Sequence, residues 1–189
     1  MLQRVVDGIH KLMRWLGALA ALLLIALVFL LAFNVIMRYA FNASSIGLEE
    51  LSWHFYAAVF LLGIPYALQT GSHVRVDLVH DRLSARNKAI IDLVGTLIFL
   101  IPTCLIVIWT GWQFTAAAYG LGQQPGSVTE FFTQLTSTGI GEKSQDPGGL
   151  LNRWIIKGVI PLSFFGLLLA AIAMLLESIQ RLQAAMKEA

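Results

Sequence analysis

The sequence has little charge and almost no cysteine. Only 13% of its 189 residues are charged, 57% are hydrophobic, and the mean hydropathy is +0.73. Soluble domains carry about 25% charged residues, so this composition excludes a soluble domain and indicates an integral membrane protein. A formal net charge of +2 gives no basic surface for nucleic acid, which excludes nucleic-acid binding. The single cysteine, Cys104, lies in an apolar segment, so it forms neither an internal disulfide nor, alone, a thiolate metal site.

Motifs for catalysis or for a cofactor are also missing. The sequence contains no nucleophile paired with a base, no metal-ligand spacing and no glycine-rich phosphate loop. Glu49 and Glu50 are adjacent, and neighbouring helical residues point about 100° apart, so the two carboxylates cannot share a proton as a catalytic dyad. We expect one of them to face Arg38 or the lipid headgroups and the other to be free for a partner. The chain is therefore predicted to be neither an enzyme nor a cofactor protein.

Four long apolar segments are present, at approximately residues 16–36, 51–68, 93–119 and 158–176. Each can cross the ~30 Å hydrocarbon core as a helix, and over such lengths only helices satisfy every backbone polar group in lipid. The predicted fold is an all-α membrane protein with four transmembrane helices and interfacial amphipathic segments, forming a single membrane domain over residues 1–189. The first apolar run resembles a signal peptide. Its uncharged stretch, residues 15–37, is too long for one, so we expect a retained span.

The lysine and arginine residues indicate the orientation of the spans. Three lie in the N-terminal tail, four in the second connection and two in the C-terminal tail, whereas the first and third connections hold one and three. Because positive loops stay in the cytoplasm, both termini and the second connection are predicted to be inside. In that second connection, residues 73–79 alternate polar and apolar side chains like a strand. A lone strand has no partner, so we favour an interfacial helical segment.

Few polar groups lie inside the predicted spans. His54 is the one ionisable residue there, and the prolines Pro65, Pro102 and Pro161 are single, which is typical of helix kinks rather than of paired helix breaks. A transporter or channel needs polar groups that replace hydration, so these spans are not expected to carry a solute by themselves. A membrane-anchor cytochrome subunit is an alternative, but no second histidine stands opposite His54 to ligate haem. A small channel is a further alternative.

The third connection, approximately residues 123–152, is rich in Gly, Ser, Thr, Gln and Pro and is predicted to be a long external loop with one short helix. A loop of this length is commonly functional or mobile. Its aromatic pair, Phe131 and Phe132, could dock a soluble protein. The loop could equally be a flexible connector or a cap on a larger subunit.

Several short motifs resemble one transporter family. They are Arg38-Tyr39 and Phe41-Asn42 after the first span, Glu49-Glu50-Leu51 at the start of the second, Gly63 within it and the sequence HVRVDL at residues 73–78. In this pattern the chain resembles the small permease (Q, or DctQ-like) subunit of tripartite ATP-independent periplasmic (TRAP) transporters. The resemblance covers all four spans.

This resemblance implies an auxiliary role in the bacterial inner membrane. In the family, a large permease subunit (M) carries the substrate and sodium sites and moves as an elevator, a periplasmic binding protein (P) delivers an organic acid, and the small subunit packs against the static scaffold. Polar residues at the span ends would then contact the partner; these are Arg38, Asn42, Glu49, Glu50 and Trp53 outside, and His73, Arg75 and Asp77 inside. Each could instead be satisfied within the chain or by lipid headgroups.

Overall fold

The structure, a computed structural model, describes residues 2–71 and 85–187, without the side chains of residues 2, 85, 86, 89 and 181–187. The helices are α1 (Leu2–Ala40), α2 (Ile46–Gln69), α3 (Ala85–Gly95), α4 (Ile101–Tyr119), α5 (Val128–Thr136) and α6 (Trp154–Lys187), and a π-helical segment, Thr96–Leu100, joins α3 to α4. None of the described residues forms a strand. Within the described ranges, four stretches are long and apolar enough to cross a membrane, which confirms the all-α membrane fold; they are Gln3–Ala40, Ile46–Gln69, Ile90–Tyr119 and Trp154–Gln180. The predicted interfacial segment at residues 73–79 lies outside the described residues.

Helix α1 is longer than its predicted span because its basic N-terminal segment continues the same helix. Its 39 residues give a length of about 58 Å, nearly twice the hydrocarbon core. The buried positions recur every seven residues, at Val6, Met13, Ala20 and Leu27. A seven-residue repeat keeps one stripe of a helix against its neighbours in a shallow crossing. Many of the other apolar residues of α1 are exposed, among them Leu22, Val28 and Phe29.

Helix α6 is the central element of the bundle. It contacts α1, α2, α3 and α4, whereas α1 packs mainly on α2 and the helix α4 packs mainly on α6. Accordingly the share of buried residues is largest in the α6 span, at 39%, and is only 11% in the spans of α1 and of residues 90–119. Most of the apolar surface of the four spans is therefore available to lipid or to another protein.

Glycines allow the closest helix approaches. A Cβ on Gly17 of α1 would lie 2.6 Å from the ring of Tyr66 in α2, and one on Gly111 of α4 would lie 3.2 Å from Pro161 in α6. Lipid is as apolar as leucine, so membrane helices associate largely through close packing, which small residues permit. These contacts bring α1 onto α2 and α4 onto α6.

The three prolines of the spans, Pro65, Pro102 and Pro161, lie within helices, and the first two have a local consequence. Pro65 has no N–H, so it cannot bond the carbonyl of Leu61 four residues earlier; that carbonyl accepts a hydrogen bond from Ser163 Oγ of α6 instead. Pro102 follows the π-helical segment, in which the N–H of Ile101 bonds to the carbonyl of Thr96, five residues back. Local π turns are one way in which membrane helices accommodate a proline.

Candidate functional site

The residues predicted as the external partner contacts lie at one end of the bundle. We call it the loop-side end, and it comprises residues 38–54, residues 120–153 and the first turn of α6. Here α1 stops because Asn42 adopts a left-handed backbone conformation, with a φ of 50°. This turns the chain so that the N–H of Ala43 bonds to the carbonyl of Met37 at 3.0 Å. Asparagine tolerates this conformation better than most residues. Asn42 thus ends the helix, a role that leaves its predicted partner contact open.

Glu49 forms an ion pair with Arg38 across the turn between α1 and α2. The prediction that one of the two acids faces Arg38 or the lipid headgroups is thus decided in favour of Arg38. Both side chains are about half exposed, at 54% for Arg38 and 46% for Glu49. Ion pairs this exposed stabilise a protein by about 0–1 kcal/mol, so the pair is available to a charged ligand or partner.

Glu50 binds the long loop. Ser144 Oγ donates to its Oε1 at 2.6 Å, and the backbone N–H of Leu150 donates to its Oε2 at 2.6 Å. The prediction of a carboxylate free for a partner is therefore wrong. One helical step rotates the side chain by about 100°, which turns Glu50 from the Arg38 side of α2 toward the loop.

The loop between α5 and α6 has an ordered backbone around this carboxylate. The N–H of Ser144 bonds to the carbonyl of Leu150 at 2.9 Å, and the N–H of Glu142 bonds to the carbonyl of Ala118 at 2.8 Å. Gly141 precedes this contact with a φ of 69°, and a Cβ there would lie 2.6 Å from the Ala118 oxygen. The segment is thus fastened both to α2 and to the end of α4, which argues against a purely flexible connector.

A second ion pair connects the loop to α6. Lys157 of α6 pairs with Glu142, and its Nζ also lies 4.0 Å from the centre of the Phe114 ring in α4. The side chains of Lys157 and Glu142 are 17% and 24% exposed, so water screens this pair less than the Arg38–Glu49 pair. Loop, α4 and α6 are therefore joined by one charged contact. Sequence analysis missed it because the three residues share no motif.

Asn152 holds the C-terminal end of the loop. Its Oδ1 accepts the N–H of Ile140 at 2.6 Å, and its Nδ2 donates to the carbonyl of Leu135 at 2.9 Å. Ile140 is fully buried by this arrangement. Asn152 itself has a φ of 59°, a conformation in which asparagine is enriched. In the sequence, a single asparagine shortly before Trp154 is the only indication that Asn152 holds the end of the loop.

The described histidines lie at opposite ends of the bundle. His54 Nδ1 donates to the carbonyl of Glu50 at 2.6 Å, and its Nε2 is buried without a hydrogen-bond partner. His10 lies 3.3 Å from Glu177 of α6, in a cavity that Gln69 also lines. From His54 to Gln69 the helix rises about 22 Å, too far for the two imidazoles to share a haem. Among the described residues no group of His, Cys, Asp and Glu could hold a metal ion.

The short helix predicted in the loop is α5. Ser127 Oγ caps it by accepting the N–H of Glu130 at 3.2 Å. Phe131 and Phe132 form an edge-to-face pair with ring centres 5.6 Å apart, and Phe132 is 62% exposed. Val128, four residues earlier, is exposed on the same helix face. Helix α5 therefore presents a small apolar surface.

The remaining predicted interface residues are placed as follows. Trp53 is 79% exposed on α2, beside the Arg38–Glu49 pair. His73, Arg75 and Asp77 lie outside the described residues. The structure thus brings Arg38, Glu49 and Trp53 together on one surface, and it places Glu50 on another.

Several polar side chains within the spans donate hydrogen bonds to backbone carbonyls. Thr110 donates to the carbonyl of Ile106 at 2.9 Å and Thr115 to that of Gly111 at 2.8 Å. Ser163 is engaged with Leu61, as described above. Asn34 of α1 donates to the carbonyl of Leu48 at 3.3 Å. These groups are occupied by the fold, so they are poor candidates for a solute site.

Comparisons with known proteins agree with the resemblance seen in the sequence. The model of one protein family, described as tripartite ATP-independent periplasmic transporters, DctQ component, matches residues 27–181. A protein of Haemophilus influenzae with the provisional name TRAP transporter small permease protein is 30% identical over 90 residues, which cover 47% of this chain and 55% of that protein. The match thus spans about half the length of this curated relative.

Proposed function

Because the chain belongs to the family of DctQ components of tripartite ATP-independent periplasmic transporters, we propose that it is the small membrane subunit of a TRAP-type secondary transporter. In this proposal it lies in the bacterial inner membrane, with a large permease subunit and a periplasmic binding protein as partners. It packs against the scaffold of the large subunit and stabilises it during sodium-coupled uptake of an organic acid. The family is one of transporter subunits, so the chain is a transport protein of several spans.

The occupied polar groups of the spans are the observation that supports an auxiliary role. A carboxylate that crosses the hydrocarbon core must exchange its water for protein donors. The hydroxyls of Thr110, Thr115 and Ser163 instead donate to backbone carbonyls of this chain. The spans also expose long apolar faces that a scaffold partner can cover. A binding site supplied by the large subunit fits both features.

The surface around Trp53 is the proposed contact with the large subunit. Exposed tryptophan and arginine are the residues that most often carry binding energy at interfaces, and Arg38 lies beside Trp53 in this surface. Two further predicted contacts, Asn42 and Glu49, are close to Arg38 and Trp53 in the sequence. On the other side of the membrane, the predicted contacts are still His73, Arg75 and Asp77. Glu50 would act indirectly, because it holds the loop.

The experiment is reconstitution with defined subunits. The chain, the large subunit or both are placed in proteoliposomes, and uptake of a panel of labelled small carboxylates is measured with binding protein, with and without a sodium gradient. We expect uptake only with both subunits. Uptake by this chain alone would sink the proposal, and so would full uptake by the large subunit alone.

Two variants sharpen the same experiment. Trp53→Ala is expected to weaken co-purification with the large subunit by about tenfold, the loss typical of an interface anchor. Trp112→Ala is the matched control, since this α4 residue is similarly exposed and lies outside the proposed surface. Equal losses in both variants would contradict the assigned surface.

Docking of the binding protein on α5 predicts that Phe131→Ala with Phe132→Ala raises the binding-protein concentration needed for half-maximal uptake.

A further inference from the structure

Helices α1 and α2 leave a groove between them at the loop-side end. They are close at Gly17 and Tyr66. Further along, Asn34 bridges them by donating to Leu48 and to Ser52 Oγ, both at 3.3 Å, and Leu27 and Ser52 form a buried floor. We call this the α1–α2 groove; its apolar part is lined by Leu27, Leu31, Val35, Ser52, Trp53 and Tyr56.

The groove is about one membrane leaflet deep. Leu27, at its deep end, and Arg38, at its mouth, are 11 residues apart on α1, which corresponds to about 16 Å. The hydrocarbon core is about 30 Å thick, so the groove runs from the boundary to the bilayer centre. A partner helix that crossed the whole membrane would need a groove about twice as long, whereas an acyl chain of one leaflet matches this length.

The mouth of the groove carries two opposite charges side by side. Arg38 and Glu49 both line it, and both are about half exposed although they pair with each other. They lie in the last turn of α1 and the first turn of α2, next to the exposed rings of Tyr39 and Trp53. Aromatic and charged residues at span ends mark the depth of the lipid headgroups.

We propose that the α1–α2 groove binds a phospholipid with a phosphoethanolamine headgroup. The phosphate contacts Arg38, the primary ammonium contacts Glu49, and one acyl chain lies against Leu27, Leu31 and Tyr56. An adjacent guanidinium and carboxylate complement a zwitterion, whereas a purely anionic headgroup meets repulsion from Glu49. The site shares Arg38, Glu49 and Trp53 with the proposed contact surface, so in the assembled transporter the bound lipid would lie between this chain and the large subunit. The lipid site itself is argued from the groove and does not depend on the transport role.

Native mass spectrometry of the full chain tests the acyl part of the site. The protein is equilibrated with equal amounts of phosphatidylethanolamine and phosphatidylglycerol, and bound lipid is counted. Leu31→Trp fills the groove and is expected to lower bound phosphatidylethanolamine about tenfold. Leu22→Trp is the control, because nine residues turn a helix by about 180° and place the same substitution on the opposite, exposed face. Equal binding by the two variants would overturn the proposal.

The headgroup part is tested by removing both charges. Arg38→Gln with Glu49→Gln is expected to abolish an about tenfold preference for phosphatidylethanolamine over phosphatidylglycerol, because both charged contacts with the headgroup are then lost. Circular dichroism of each variant confirms that helix content is unchanged. Absence of any preference in the unaltered chain would also overturn the proposal.

A photo-crosslinker at position 31, introduced in cells that contain the whole transporter, identifies the occupant in the membrane. An adduct with the mass of phosphatidylethanolamine supports the lipid site, and adducts with a polypeptide but none with the lipid overturn it. Failure of the transport experiment would leave this result unchanged, so the two proposals are tested separately.

Discussion

At the residue scale, two identical neighbouring side chains have different tasks. Glu49 pairs with Arg38 in solvent-exposed surroundings, while Glu50 accepts hydrogen bonds from Ser144 and Leu150 of a loop about 100 positions later. A carboxylate that accepts such bonds is held more firmly than one in an exposed pair. The loop should therefore depend on Glu50 and hardly on Glu49.

Glu50→Gln is expected to loosen the loop. The amide can still accept a hydrogen bond through its oxygen, but its NH₂ group faces the second donor, so the loss is about 1–2 kcal/mol. Hydrogen exchange followed by mass spectrometry should show residues 142–150 exchanging about tenfold faster, because 1.4 kcal/mol corresponds to a factor of ten.

Glu49→Gln is the matched control, since it makes the same chemical change one residue away. Loss of an exposed ion pair costs at most about 1 kcal/mol and does not touch the loop. Exchange in residues 142–150 should match that of the unaltered protein. If both variants accelerate exchange equally, Glu50 does not fasten the loop.

At the element scale, a backbone carbonyl that loses its helical donor to a proline is hydrogen-bonded by a neighbouring helix. Pro65 leaves the Leu61 carbonyl without its helical donor, and Ser163 of α6 provides one. Within a span such a carbonyl has no water to bond, so the contact links α2 at Pro65 to the position of α6. The missing N–H was predictable from Pro65, and the residue that replaces it as donor was not.

Ser163→Ala is expected to destabilise the bundle by about 0.6–1.7 kcal/mol, the range of hydrogen bonds between membrane helices. In a Pro65→Ala background the new N–H can bond Leu61, so the same substitution should cost less. Unfolding in mixed micelles measures both costs, and their difference is the coupling energy. Thr110→Ala, whose hydroxyl bonds to its own helix, should show no coupling to Pro65→Ala. If the effects of Ser163→Ala and Pro65→Ala are additive, Ser163 does not replace the donor that the Leu61 carbonyl lacks.

At the scale of the whole molecule, α6 is the helix on which the others assemble, and the bundle is open. The helices α1 and α4 contact it from different sides and expose most of their apolar residues. Lipid can cover these exposed apolar residues in an isolated bundle, and another subunit can pack against them in a complex. The lysine and arginine distribution predicts which end faces the cytoplasm.

Cysteine labelling tests this orientation in intact cells. Thr138→Cys, in the exposed loop, is expected to react with a membrane-impermeant maleimide, and Val5→Cys, exposed near the N-terminus, only after permeabilisation. The unaltered chain is the background control because Cys104 is completely buried. The reverse labelling pattern would show that the termini lie outside.

The class of fold, the four spans and the short loop helix follow from the sequence itself. Each apolar segment enters lipid because of its own residues, and a helix satisfies its backbone hydrogen bonds within the segment. Local composition therefore predicts the spans. The extra length of α1 escaped prediction because charged residues near a span end can belong either to a tail or to the same helix.

Only the tertiary structure decided which polar group meets which. Whether Glu49 or Glu50 turns toward Arg38 depends on how α2 is rotated about its axis, and one residue changes that direction by about 100°. The partners of Glu50 and Leu61 are about 100 residues away, where no local pattern connects them. Close packing of whole helices sets these rotations, and a single segment of sequence does not contain that information.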